Sequence, residues 1–141
     1  MPILHSIRGR MLLLSLLAGF VAPAHSYCDD FLALLHVKPT HLEFLGCKQQ
    51  TDLQGEPWEA SYRVAGSHAA QIESTLTKGL GIKKLRRTCC VWESVHNSYR
   101  DKQSQLFVIL ISTDETTIDR RSRWGEIPYF DIKVDSYPEE P

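Results

Sequence analysis

The chain has 141 residues, with 16 Lys or Arg against 17 Asp or Glu and a formal net charge of −1 at pH 7. This balance argues against a strongly basic nucleic-acid binder and against a general attraction to anionic membranes. With 43% hydrophobic residues, a chain of this length is expected to form one domain with a modest core.

The first segment is typical of a secretory signal peptide. Two arginines precede an apolar run over residues 11–21, which is shorter than the roughly 20 residues of a membrane-spanning helix. Small residues then permit cleavage after Ser26, with cleavage after Ala24 or an uncleaved anchor as alternatives. We therefore predict a signal peptide over 1–26 and an exported single domain over 27–141 without a membrane span.

The predicted mature chain begins with a short helix and two strands. Asp29 and Asp30 suit a helix N-terminus, and the helix must end before Pro39. Residues 41–50 indicate a strand with buried apolar positions. Residues 58–66 alternate apolar and polar side chains, which is typical of a half-buried strand. The intervening loop is short enough for the two strands to form a hairpin.

The segment 67–81 gives the clearest helix signal. Ser67 is predicted as the N-cap, and apolar residues recur at helical spacing behind it. Gly79 or Gly81 supplies the left-handed residue that ends the helix.

Three more strands are predicted in the remainder, over residues 85–94, 105–113 and 129–137. A polar turn over 96–104 and an irregular polar loop over 114–128 separate them. The order α-β-β-α-β-β-β predicts an α+β domain, with an antiparallel sheet of about five strands and two helices on one face.

Four cysteines, Cys28, Cys47, Cys89 and Cys90, lie in the predicted mature chain. An even number in an exported protein indicates two disulfides. Neighbouring residues of a strand point to opposite faces. Their Cα atoms lie about 3.8 Å apart, against roughly 4.4–6.8 Å in ordinary disulfides. We therefore predict that Cys28 and Cys47 each pair with one of Cys89 and Cys90. Which pairs with which stays open, and a bridge between neighbours is the strained alternative.

No catalytic, metal or cofactor motif stands out. The chain has no Cys-x-x-Cys, no paired zinc ligands, no Gly-x-Ser-x-Gly and no phosphate loop. Glu93 is the most interesting carboxylate, because the neighbouring Trp92 could raise its pKa. A solvent-facing strand residue or a salt-bridge partner is the more common interpretation. We predict no catalytic residue, no metal and no cofactor.

Two basic clusters, residues 83–87 and 120–123, could form a patch for an acidic partner or could be solvated loop charges. Trp124 follows the second cluster, as an interface hot spot or as a buried residue that holds the loop. The predicted partner contacts lie in or beside the loops 51–57 and 114–128. They are Trp58, Arg120, Arg121, Arg123 and Trp124.

Several motifs occur together in the mature chain: KPTHLEFLGC, ASYRVAG, HAAQIESTL and CCVWES. This set resembles a small exported bacterial family catalogued as domain of unknown function 4952, and the likeness covers nearly all of the mature chain. Its most specific part is the Cys-Cys-x-Trp-Glu motif at residues 89–93. The resemblance implies architecture and compartment and supplies no catalytic residues.

Small disulfide-linked periplasmic domains of this kind also resemble immunity proteins. By that analogy we predict a non-enzymatic, exported binding protein whose partner is a protein. The most specific form is an immunity protein that neutralises a toxin, for example a hydrolase, delivered to the periplasm by a bacterial secretion system. The alternatives are a thiol-active periplasmic enzyme using Cys89 and Cys90, and a module that binds a small ligand or the envelope. The oligomeric state is left open.

Overall fold

The computed structural model describes residues 27–138, so the predicted signal peptide over 1–26 lies outside the described residues. Seven antiparallel strands form one sheet in the order β1-β2-β7-β6-β4-β3, and β5 pairs with β6 beside β4. The elements in chain order are α1 (Phe31–Leu34), β1 (Glu43–Gln49), β2 (Trp58–Ala65), α2 (Gly66–Leu80), β3 (Arg86–Thr88), β4 (Val91–Glu93), β5 (Asn97–Arg100), β6 (Leu106–Ser112), a 3-10 helix (Arg121–Glu126) and β7 (Tyr129–Tyr137).

The predicted α+β class with an antiparallel sheet is confirmed, but the predicted numbers of strands and helices and their order are wrong. The described residues form three helices, counting the 3-10 helix, rather than two. The described sheet has seven strands rather than about five. The predicted strand over 85–94 is two strands around a turn at Cys89 and Cys90, and the predicted turn over 96–104 contains β5. The predicted irregular loop over 114–128 contains the 3-10 helix. The turn was missed because it has no Gly, Pro or Asn, and β5 was missed because its residues show no apolar alternation.

The hydrophobic core lies on one face of the sheet, and α1 and α2 cover that face. The inner positions of β2, β6 and β7 alternate regularly with outer ones, so that Tyr62, Ile109 and Ile132 are almost fully buried. The Tyr62 hydroxyl donates to Asp30 Oδ1 at 2.9 Å and accepts from the Leu32 N–H at 3.1 Å. Burial raises the pKa of this phenol. These bonds fix α1 against the middle of the sheet.

The helix α2 begins one residue before the predicted N-cap, Ser67, at Gly66. The N-cap is Ala65, which makes no side-chain capping bond. A Cβ atom on Gly66 would lie 2.0 Å from the carbonyl oxygen of Trp124 and 2.2 Å from that of Ile127. The backbone of the 3-10 helix therefore packs directly on the start of α2. The predicted stop is confirmed at Gly81, which has φ of 69°.

The predicted disulfide pairing is wrong. Cys28 pairs with Cys47, with 5.4 Å between their Cα atoms, and Cys89 pairs with its neighbour Cys90. β1, which carries Cys47, and β3, which precedes Cys89, lie at opposite edges of the sheet. Five strand spacings separate these edges, about 24 Å in all. Cys47 therefore cannot reach Cys89 or Cys90. The prediction assumed that Cys89 and Cys90 lie in one continuous strand and point to opposite faces, but they form a turn between β3 and β4.

Candidate functional site

A groove of about 290 Å³ lies at one end of the outer face of the sheet, the face that α1 and α2 leave uncovered. Two parts of the chain that are distant in sequence form its walls. The ends of β2 and β7 supply one wall, and the loop that follows β6 supplies the other. The polar and aromatic residues that line the groove are Arg63, Tyr129, Asp131, Asp114, Glu115 and Thr116.

An arginine and a tyrosine form the sheet wall of the groove. The Arg63 guanidinium makes two bonds to the Asp131 carboxylate, at 2.7 Å and 3.2 Å. Hydrogen bonding to Asp131 raises the pKa of Arg63. The same guanidinium lies 5.0 Å from the centre of the Tyr129 ring, within cation–π range. Because Tyr129 is nonetheless 53% exposed, an ordered aromatic surface faces the solvent.

The loop wall of the groove is acidic. Asp114 and Glu115 are both exposed, and neither has a salt-bridge partner in the part of the chain that the structure describes. Arg63 is already paired with Asp131. Three carboxylates therefore face one guanidinium, and the groove carries a net negative charge that favours a basic ligand.

The β3–β4 hairpin holds the loop over residues 113–118, which we call the groove loop. The Thr116 N–H donates to the carbonyl oxygen of Cys90 at 2.7 Å. Arg87 donates to the carbonyl of Thr116 at 2.8 Å and to that of Ile118. Thr113 and Trp92 exchange two bonds, at 2.9 Å and 3.0 Å. The position of the loop wall therefore depends on the hairpin that carries the Cys89–Cys90 bridge.

The turn of this hairpin consists of the two disulfide-bonded cysteines. Cys89 has φ of 52°, in the left-handed region that non-glycine residues seldom adopt. Two-residue hairpins favour turns that require positive φ at the first central residue, where Gly and Asn are usual. Cys89 is exposed and Cys90 is half-buried, so the bridge lies at an accessible tip.

A pair of carboxylates lies on the outer face, on the same two strands as the groove. Glu59 of β2 and Asp135 of β7 are directly opposite each other. Glu59 is buried and accepts from Lys133 Nζ at 3.2 Å. Asp135 Oδ1 is buried and has no hydrogen-bond partner in the described part of the chain. Burial, followed by the charge of Glu59, raises the pKa of Asp135 to about 6.

Comparison with family models gives one match, over residues 18–92, to a domain of unknown function (DUF4952). The match covers more than half of the chain and includes all four cysteines. The chain belongs to the DUF4952 family. No curated protein and no solved structure matches it. The family resemblance is therefore confirmed, but the match ends at Trp92. It includes neither Glu93 of the Cys-Cys-x-Trp-Glu motif nor the strands that complete the groove, so the expected likeness over nearly all of the mature chain is wrong.

Trp92 and Glu93, the last two residues of the Cys-Cys-x-Trp-Glu motif, lie in different surroundings. The Trp92 indole is buried and donates from Nε1 to the carbonyl of Ile118 at 2.9 Å. Glu93 is half-buried on the opposite face of β4, where its neighbours by register are Arg86 and Ser112. Because Trp92 and Glu93 point to opposite faces of β4, the expected contact between the Glu93 carboxylate and the Trp92 ring is not formed.

The structure does not bring the predicted contact residues together. Trp58 begins β2, at the end remote from the 3-10 helix that carries the predicted arginines. Trp124 is only 2% exposed, and its ring centre lies 5.1 Å from that of Trp92. The interpretation of Trp124 as a buried residue that holds its loop therefore applies, rather than that of an exposed hot spot.

The predicted arginines differ from one another in their surroundings. Arg121 binds the buried Glu73 at 2.6 Å and stacks over Trp124 at 4.6 Å. Arg123 pairs with Glu126 at 2.7 Å, and Arg120 is largely exposed beside Asp119. Arg121 therefore supports the fold, whereas Arg120 and Arg123 remain accessible to a partner.

Sequence reasoning missed Arg63, Tyr129 and Asp135, and it gave the candidate carboxylate Glu59 no partner. Each sits on the polar side of an alternating strand, which is the usual pattern for solvent-facing residues. Only the pairing of β2 with β7 places them together, and this pairing joins segments about 70 residues apart. The alternation in the sequence predicts on which face of its strand each side chain lies, but it does not predict which residue of another strand lies beside it.

Over residues 27–138, no group of three or more His, Cys, Asp or Glu side chains is arranged to hold a metal ion. Within the same range no helix has the length and apolar character needed to cross a membrane.

Proposed function

We propose that this DUF4952 protein is an exported periplasmic protein that binds a partner protein in the groove and acts as an immunity protein. The observation that carries the proposal is the exposed Tyr129, held in place by Arg63 beside the exposed Asp114 and Glu115. Tyrosine and arginine are enriched at interface hot spots, where rigid aromatic surfaces lose little entropy on binding. The proposed partner is a toxin, for example a hydrolase, delivered to the periplasm.

The charge of the groove specifies the chemistry of the partner surface. Asp114 and Glu115 make no salt bridge among residues 27–138, so a Lys or Arg side chain of the partner can pair with each. Such complementary charge mainly accelerates association and sets specificity, while the aromatic contact at Tyr129 supplies buried area. A basic loop of the toxin that enters the groove would match both features.

The disulfides support the proposed compartment. Both bridges require an oxidising environment, such as the bacterial periplasm. The predicted signal peptide over 1–26 is the route by which the chain would reach it. Together these observations favour a partner that also acts in the periplasm.

Affinity capture with matched variants tests the groove. The wild-type chain, Tyr129→Ala with Asp114→Asn, and a control double variant would each be used to capture proteins from the periplasm of the host and of toxin-bearing siblings. The control is Asp52→Asn with Glu56→Gln, which removes two exposed acids from the β1–β2 loop at the other end of β2. We expect the groove variant to lose the partner that the wild type and the control retain. If only the control variant fails to capture the partner, the contact lies in the β1–β2 loop and not in the groove.

Competition between cells tests the immunity role. A strain without the gene should become sensitive to siblings that deliver the toxin, and the wild-type gene should restore resistance. The groove variant should be produced at a normal level and should fail to restore it. Unchanged sensitivity of the deletion strain, together with no captured partner, would refute the proposal.

A further inference from the structure

We propose that Cys89–Cys90 is a thiol–disulfide exchange site and that its redox state controls the groove loop. The reacting partner is an exposed dithiol of a thioredoxin-like protein, which supplies two electrons. The proposal concerns the hairpin itself and does not depend on which protein, if any, occupies the groove.

The two disulfides differ in accessibility. Cys89 is exposed at the tip of the hairpin, which lies at the edge of the sheet. Cys28 and Cys47 are both half-buried, and Cys47 packs against the hydrophobic core. Disulfide exchange requires an incoming thiolate to approach a sulfur directly. The exposed residue of the hairpin, Cys89, is therefore the point of attack.

The chemistry is a pair of exchanges that conserves atoms and electrons. A thiolate of the dithiol attacks Cys89 Sγ, the bond to Cys90 breaks, and its electron pair leaves with Cys90 Sγ, which then takes up a proton. The second thiol of the dithiol loses its proton and attacks the partner's own sulfur in the mixed disulfide, and Cys89 leaves as a thiolate that takes up a proton. The partner leaves as a disulfide, and the hairpin retains two thiols. The reverse sequence restores the bridge.

Positive charge near the hairpin favours this reaction. The Arg87 guanidinium binds the carbonyl of Thr116, the residue whose N–H binds the carbonyl of Cys90. Arg86 is exposed on the same strand, three residues before Cys89. Nearby cations stabilise a thiolate relative to the thiol, and Arg86 and Arg87 are the cations that the strand places beside the turn.

Reduction removes one of the two restraints on an unfavourable backbone conformation, the other being the two-residue turn itself. Cys89 has φ of 52°, which is unfavourable for a residue with a Cβ atom. Once the ring opens, Cys89 can rotate to negative φ, and the carbonyl of Cys90 then moves away from the N–H of Thr116. Thr116 lines the groove, so the loop wall loosens when the bridge is reduced.

Mild reduction followed by alkylation tests the site. With a limited amount of a thioredoxin-like dithiol, we expect Cys89 and Cys90 to be alkylated while Cys28 and Cys47 remain bonded. Hydrogen exchange at the Thr116 amide should then rise about tenfold or more. The Ser94 amide, which bonds Ile111 inside the sheet, should not change. Reduction of both bridges together, or reduction of the hairpin with no change at Thr116, would overturn the proposal.

Two sets of variants make the test independent of the reductant. Cys89→Ser with Cys90→Ser should show the fast Thr116 exchange without any dithiol, and dithiol should not increase it further. Cys28→Ser with Cys47→Ser is the matched control and should respond to dithiol as the wild type does. If Cys28→Ser with Cys47→Ser fails to fold, the hairpin variant still tests the proposal by itself. Slow exchange of the Thr116 amide in that variant would show that the bridge does not control the groove loop.

The site of attack has its own test. A thioredoxin-like protein whose second cysteine is replaced by serine cannot resolve a mixed disulfide, so it remains attached to the sulfur that it attacks. We expect a covalent complex through Cys89, identified by mass spectrometry. A complex through Cys90 would contradict the assigned point of attack, and a complex through Cys28 or Cys47 would contradict the site.

Discussion

Glu59 and Asp135 face each other across β2 and β7, and Oδ1 of Asp135 is buried without a hydrogen-bond partner within residues 27–138. Lys133 binds Glu59 rather than Asp135. The other charged group that acts on Asp135 is His96, from the segment before β5. Two carboxylates on one sheet face, with one cation bonded to only one of them, make the ionised form of Asp135 unfavourable.

Replacement of Asp135 by Asn should therefore stabilise the fold in a pH-dependent way. The pKa of Asp135 rises from 3.8 to about 6 on folding. Between these values the folded chain binds more protons, so the free energy of unfolding falls as the pH rises through that window. Allowing for partial exposure, Asp135→Asn should add about 1–2 kcal/mol above pH 7 and little near pH 3.5. Urea unfolding at both pH values measures this, with the exposed Asp52→Asn as control. An equal effect at both would show that the charge is not responsible.

Gly66 gives a prediction about backbone packing. An alanine there would place its Cβ against two carbonyl oxygens of the 3-10 helix segment, which cannot rotate away as a side chain can. Gly66→Ala should cost about 3 kcal/mol in the free energy of unfolding. Gly125→Ala is the matched control, because its Cβ would meet only the Cα of Ser67, at 3.9 Å. Thermal unfolding of both variants checks this, and equal melting temperatures would disprove the close contact.

The sequence predicted those parts of the fold that depend on local pattern. Alternation located β2 and β7, the apolar run located β6, and Gly81 marked the end of α2. The hairpin at Cys89 was missed because its turn is closed by a covalent bond between neighbours and not by the usual turn residues. That single error also produced the wrong disulfide pairing, since it placed the two side chains on opposite faces.

The candidate groove could not be predicted from local pattern. Arg63, Thr116 and Tyr129 lie far apart in the chain, and each has an ordinary local environment in sequence. The sheet order brings β2 beside β7 and the hairpin beside the groove loop. This information is non-local, and a single sequence gives only the face on which each side chain lies.

Arg121 should be a determinant of stability and not of binding. Its guanidinium bonds Glu73, which is buried and also accepts from the Leu85 N–H at 2.6 Å. Arg121→Ala leaves that carboxylate without its cation and should cost about 2 kcal/mol. Arg123→Ala removes only an exposed pair with Glu126 and should not change stability measurably. Denaturant unfolding compares the two. Equal stability of both variants would show that Arg121, too, is a surface residue available for contacts.

The two disulfides should differ in their contribution to global stability. Cys28 and Cys47 are 19 residues apart, whereas Cys89 and Cys90 are neighbours. In the chain-entropy model, a bridge over a loop of this length stabilises by about 3 kcal/mol, and one between neighbours restricts almost no unfolded chain.

Cys28→Ser with Cys47→Ser should therefore lower the free energy of unfolding strongly, whereas Cys89→Ser with Cys90→Ser should leave it nearly unchanged. Urea titrations of both double variants measure the difference, and an unchanged dependence on urea would indicate the same extent of unfolding. A large global loss on removing the hairpin bridge would mean that the Cys89–Cys90 turn holds the core as well as the groove loop. Its reduction would then unfold the domain instead of opening one wall of the groove.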